Sequence, residues 1–440
     1  MLILIAALII DTIIANIYDL ISNEVSSSLG VTIFIFISSS FLGTGLIFLF
    51  RFIKHKKDNR KKADLTSDKL YKLTKISQLL MTAIFLSIIV QIVSTSQYFT
   101  IWLIIILFVG MIPFYVTFCI LTKKLFSWYG SNRRNIIVLL FGLVTASTVM
   151  ATALLDTATI SILSAAPMVV QSSTFETWQE SIYDFSSVAD NSELYLEVGF
   201  TFVIGNFISL WIISAVLLYD YSHRIGKSRT YWMVIFLPIA FVLIGIYPIL
   251  LGLPNADFVI VDKHLILYRI LATLASIASG ILFCISFLIL ARGVRQIKEK
   301  IVADYLKVAG YGIALITLTL IVEIVFIPYP PFGIATCAAL ALGSYLFYVG
   351  MYSSVISISG NMALRESIKK AAINELKPFD SIGTAEMSVR LQEEVRKLVK
   401  EYSNKMIQEV EVMPYFSEED AKKYLQEVLN ELNKHRTSDK

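Results

Sequence analysis

AGYGIALITLTLIVEIVFI (309–327), PYPPFG (328–333) and IATCAALALGSYLFYVGMYSSV (334–355) read as one apolar hairpin folded at a proline-rich bend. Each arm exceeds the roughly 18 apolar residues that cross a hydrocarbon core about 30 Å thick. Pro328, Pro330 and Pro331 lack the amide a helix needs, so the chain turns there. The second arm runs without a break into the charged segment SGNMALRESIKKAAINEL (359–376). A turn on one face of a bilayer is thereby joined, through a spanning helix, to a water-soluble segment on the other.

The rest of the chain extends the same pattern. Apolar residues make up 56% and charged residues 16% of the sequence, and the mean hydropathy is +0.69, outside the range of soluble domains. Continuous Ile/Leu/Phe runs are the wrong pattern for a lipid-embedded barrel, whose strands alternate in polarity. The fold class expected is therefore all-α: a polytopic helical membrane domain over 1–358 and a small helical cytoplasmic tail over 359–440. About ten spanning helices are predicted, near 1–20, 31–52, 73–93, 101–121, 135–155, 199–219, 232–251, 267–290 and the two arms of the hairpin. Asp11 interrupts the first, which lacks the basic start and cleavage site of a signal peptide.

Charge fixes the sidedness. No Lys or Arg occurs from Asn135 to Ser222, a stretch that carries Glu176, Glu180, Asp184, Asp190, Glu193 and Glu197. Basic residues gather instead at 51–75, 123–134, 224–229 and 292–307, at every second loop. Lysine and arginine beside spanning helices stay on the cytoplasmic side. Both termini are thus expected in the cytoplasm of a cell-membrane protein, with an acidic external loop over 157–197. Trp102, Trp128, Tyr231 and Trp232 fall near helix ends and read as interfacial aromatics.

The candidate functional residues are the ionisable groups at membrane depth, where charge is costly. Glu323 lies about one turn before the bend and Arg269 at similar depth, so the two are expected to pair, or Glu323 to sit neutral in a dry site. A helix–helix lock, snorkelling to the external interface, and proton or ligand sensing at the external face remain open for it. Asp156, at the predicted end of the fifth helix, reads as an external-interface marker or a second sensing group. Asp11 faces a partner helix or a water-lined cleft. In the external loop, Trp178, Tyr183 and Phe185 form either a binding cap or an interfacial helix. Ala335, Ala338, Ala339, Ala341 and Gly343 suit close approach of the last spanning helix to a neighbour.

No catalytic chemistry emerges. Cys119, Cys284 and Cys337 sit in apolar runs and the four histidines are not at metal spacing. IGKS (225–228) lacks the first glycine of a phosphate loop, since position 221 is Tyr221. The reading is of a non-enzyme with no cofactor, no metal and no nucleic acid partner.

The tail is amphipathic. Met387, Leu391, Val395, Leu398, Tyr402 and Met406 form one helical stripe, about 40 Å long at 1.5 Å per residue. After Pro414, Ser417 caps a second helix whose stripe is Tyr424, Leu425, Val428, Leu429 and Leu432. Such stripes need a cover: each other, a second copy of the chain, or a cytoplasmic protein.

The run PPFGIATCAALALGSYLFYVGMYSSVISISGNMALRESIKK (330–370), followed by DSIGTAEM (380–387), resembles the last helix pair and tail of uncharacterised multi-pass membrane proteins of ammonia-oxidising archaea. The resemblance covers about 325–430 and implies a fold and a compartment, not an activity. In outline the layout is also similar to the multi-helix N-terminal sensor region of some histidine kinases. It departs from those kinases in lacking a histidine in a dimerising helix and their nucleotide-binding glycine boxes. A receptor-like sensor or signalling scaffold is the expected function, with a secondary transporter or channel as the alternative.

Overall fold

The computed structural model describes residues 2–21, 27–58, 65–131, 136–165, 168–171, 190–225, 263–296, 300–319 and 334–359, with a few isolated positions between them. Nine helices are described: α1 (Leu2–Ile21), α2 (Ser27–Asp58), α3 (Leu65–Thr95), α4 (Thr100–Ser131), α5 (Ile136–Ala165), α6 (Asp190–Ile225), α7 (Lys263–Gln296), α8 (Lys300–Thr319) and α9 (Ile334–Ser359). Seven of them, all but α1 and α7, contain stretches among the described residues that are long and apolar enough to cross a membrane. The chain is an all-α, multi-pass helical bundle. Most of the predicted helix over 232–251 (all but 232, 235, 236 and 239), the hairpin bend with Glu323 apart from Pro331, and residues 360–440 of the tail lie outside the described residues.

The helices form a ring around a centre. From α1 to α7 each packs on its successor, and α7 closes back on α1. Inside lies α9, which touches α8, α4, α3, α2 and α1. Within the most apolar 18-residue window of Ile334–Ile358, 94% of the residues are buried, against 33–50% for the corresponding windows in α2 to α6. An element hydrophobic on all sides and shielded from lipid is a core helix. Its most extensive partner is α8, set antiparallel to it, and glycine makes their approach possible. A Cβ on Gly312 would lie 2.8 Å from the Gly343 carbonyl oxygen, and one on Gly350 would lie 2.7 Å from Ala309 Cα. Without lipid-excluding hydrophobicity to drive association, such backbone-to-backbone packing is what holds spanning helices together.

Pairings along the bundle fix direction. Thr148 meets Asn206 and Leu155 meets Gly199, so α5 and α6 are antiparallel. Gly110 approaches Cys337 and Trp128 stacks on Tyr352, so α4 and α9 are parallel. Gly280 meets Thr317 and Phe287 meets Gly310, so α7 opposes α8. Consequently α6 and α7 run the same way, and the end of one and the start of the other lie at opposite ends of the bundle. The helix ends beside all four basic clusters also share one end of the bundle, where Lys69, Lys72, Lys123, Arg292, Arg295 and Lys300 are exposed.

Helices run past the hydrophobic stretches that predict them. The basic segment 123–134, read as a loop, is helical through Ser131. Trp128 is correspondingly not interfacial: it is 2% exposed and stacked on Tyr352 inside the bundle. At the opposite end the α3–α4 connection is not a plain turn. Gln97–Phe99 (β1) pairs antiparallel with Val169–Gln171 (β2), with Tyr98 opposite Val170. This ribbon pins the start of the long α5–α6 connection to the head of α4, since the Thr100 amide donates to the Met168 carbonyl at 3.1 Å. Ser96, at a φ of 54°, closes α3 in the left-handed conformation, its amide donating to the Ile92 carbonyl at 3.0 Å.

Candidate functional site

Side-chain hydrogen bonds between spanning helices form a polar seam between α4, α5 and α6. On α5, Thr145, Thr148, Thr152 and Asp156 recur at spacings of three and four and lie on one face. All four are buried. The three threonines donate to carbonyls of their own helix, which leaves their oxygens free to accept from neighbours. Thr145 accepts from the Thr122 hydroxyl of α4 at 2.9 Å. Thr148 accepts from the Asn206 amide of α6 at 2.8 Å. Asp156 accepts from the Tyr115 hydroxyl of α4. Each such link between spanning helices contributes on the order of 0.6 kcal/mol.

Asp156 therefore does not mark the end of the fifth helix, which runs on to Ala165. Its carboxyl is 6% exposed and faces the tyrosine. Sequence reasoning singled out Asp156 but missed Tyr115, Thr122, Thr145, Thr148 and Asn206. The signal that could have found them is the hydroxyl periodicity of TASTVMATALLDT (145–157).

A second polar joint ties α3 to α4 and α9. Pro113 sits inside α4 and supplies no amide to the Val109 carbonyl one turn back. Ser77 of α3 donates to that carbonyl instead, at 2.6 Å. The next residue, Gln78, is 1% exposed and donates to the Ala338 carbonyl of α9 at 2.7 Å. Spanning helices tolerate proline where a neighbour's hydroxyl restores the lost bond. A third joint lies toward the basic end, where Lys124 Nζ stands 3.5 Å over the Tyr352 ring. Tyr352 stacks on Trp128 and Tyr348, with centroids at 6.2 Å and 5.4 Å.

Of the other predicted residues, Asp11 is buried in α1, whose neighbours are α2, α7, α8 and α9. It lies apart from the α4–α5–α6 seam. Arg269 falls early in α7, while Glu323, Trp178, Tyr183, Phe185 and the tail stripes (Leu391, Val395, Leu398, Tyr402, Tyr424, Val428) are outside the described residues. Cys119 is exposed, Cys284 buried and Cys337 half-buried, and none of the three forms a disulfide. Among the described residues no group of three or more His, Cys, Asp or Glu is arranged to hold a metal.

These features define a class, a multi-pass helical membrane protein whose last described helix forms its core. Comparison with known proteins adds no family: no family model matches the chain, and no curated protein or solved structure matches it.

Proposed function

We propose that this chain is a receptor-like signalling protein or scaffold of the cell membrane, with both termini in the cytoplasm and the 359–440 tail engaging a second copy or a cytoplasmic protein. The observation that carries this reading is the position of α9. It touches five other helices and is buried along its length, so a displacement of the ring is felt by the one helix that leads into the tail sequence. The α4–α5 side of the ring begins at the ribbon that anchors the external connection, which gives an outside event a mechanical route to the centre. Asp156, Asp11, and Glu323 with Arg269 are the candidate sensing groups. No reaction is assigned.

The test is reconstitution of the full chain. Signalling expects a cytoplasmic partner, or self-association, that is lost with residues 360–440, and no solute flux above protein-free vesicles. Flux that survives removal of the tail overturns it. The competing transport reading is favoured by one observation, the buried polar face of α5, and the same flux measurement decides between the two.

A further inference from the structure

We propose that α4 is a two-position lever pivoting at Pro113, held in the position described here by a hydrogen bond borrowed from α3. The hydroxyls of Thr74, Thr82, Ser87 and Thr95 on α3 all donate back to their own helix, four residues earlier. Ser77 instead reaches across to the Val109 carbonyl that Pro113 leaves without a donor. One turn beyond the proline, the situation is reversed. Thr117 is completely buried, and its hydroxyl has no hydrogen-bond partner among the described residues. Its ordinary acceptor is the carbonyl four residues earlier, which is that of Pro113 itself. A threonine that makes this bond bends its helix.

Two arrangements of nearly equal polar cost follow. In the described one, Val109 is satisfied and Thr117 is not. In the other, Thr117 donates to Pro113, the bend changes, Val109 is released, and Ser77 falls back on its own helix. Neither arrangement satisfies both groups, so neither is strongly preferred on polar grounds, which is the condition for a bistable element.

The halves of α4 on either side of Pro113 are held by different neighbours. The first half is continuous with β1 and meets α3 at Ser77 and α9 at Gly110. The second half is clasped to α5 by Tyr115–Asp156 and Thr122–Thr145, and to the basic end of α9 by Lys124 and Trp128 on Tyr352. A change of bend therefore moves the α5 side of the ring against the end of α9. The lever deepens the signalling reading and depends on that reading only for its purpose.

The experiment uses the full chain in lipid nanodiscs with Cys119→Ala, and spin labels at Gly130→Cys and Ser357→Cys, at the basic ends of α4 and α9. Nothing lies within 4 Å of a Cβ at Gly130. A change in bend of about 20° at Pro113 displaces Gly130 by about 9 Å, at 1.5 Å per residue over the intervening helix. Ser77→Ala is expected to shift the distance distribution toward the displaced position. Thr117→Val is expected to shift it toward the described one. Opposite signs from two deletions of a buried hydroxyl are not what a purely structural role produces. Distributions that stay unchanged, or move the same way in both variants, overturn the lever. A second label pair, Ser357→Cys with Lys300→Cys, separates the claims: if Gly130 moves and this pair is insensitive, the lever stands and the signalling reading fails.

Discussion

Replacing Gly350 by alanine tests whether α8 and α9 are locked by backbone contact. The new Cβ would lie 2.7 Å from both Cα and Cβ of Ala309, whereas non-bonded carbons settle about 3.5–4.0 Å apart. The obstacle is main chain, which cannot rotate away, so the helices must part locally by about 1 Å. Overpacking of this kind costs about 1–3 kcal/mol, although alanine is intrinsically the better helix residue by about 1 kcal/mol. Gly43 supplies the control, since nothing lies within 4 Å of a Cβ there. Gly43→Ala should be neutral or stabilising by up to about 1 kcal/mol. The assay is reversible unfolding of the full chain in mixed micelles as the fraction of denaturing detergent rises, followed by circular dichroism. Equal unfolding free energies for the two variants would refute close α8–α9 packing as the basis of the core.

In a Thr117→Val background, where the second arrangement is not available, Ser77→Ala should destabilise by about 1–3 kcal/mol, because it strands the part-buried Val109 carbonyl; with Pro113→Ala added, where the helix regains its own amide, the same change should cost much less, and an additive cycle would contradict this. Asn206→Leu removes the amide that donates to Thr148 and should loosen α5 from α6 by about 0.6–1.7 kcal/mol, measured by the same unfolding assay. Trp128→Ala should cost about 3–5 kcal/mol as a fully buried aromatic, whereas an interfacial tryptophan would cost far less. Ser96→Gly should stabilise by up to about 1 kcal/mol, since a side chain at a φ of 54° is strained and glycine is not; loss of stability there would argue against the left-handed cap.

The spanning helices were legible because each carries a long apolar run, and hydropathy reports what dissolves in hydrocarbon. For the same reason their ends were not. The run over 31–52 belongs to a helix from Ser27 to Asp58, and that over 199–219 to one from Asp190 to Ile225. Hydrogen bonding continues into water where hydropathy stops. Small residues in the last helix pointed to a close neighbour, and Gly343 indeed lies against Leu315 and Gly312 of α8. Which helix is central was not legible, because the apolar surface of α9 reads the same facing lipid or protein. Trp128 misled for a related reason: a tryptophan next to lysines fits an interface and a buried cation–π stack equally well. The ribbon of β1 and β2 has only three residues per strand, too short for any alternation to show. Of the candidate site, Asp156 stood out as a charge at depth. Its partner Tyr115 did not, because one hydroxyl in an aromatic-rich helix carries no pattern.

Everything proposed depends on α9 being screened from lipid by the helices around it. Single cysteines along it, at Leu340, Ser344 and Tyr348, each fully buried, should resist a membrane-dissolved thiol reagent in the folded chain. Cysteines at the outward positions Phe36, Val90, Phe108 and Val216, all exposed on the ring, should react readily. Comparable labelling at both sets would mean that 334–359 faces lipid, and that no helix at the centre of this bundle leads into the tail sequence.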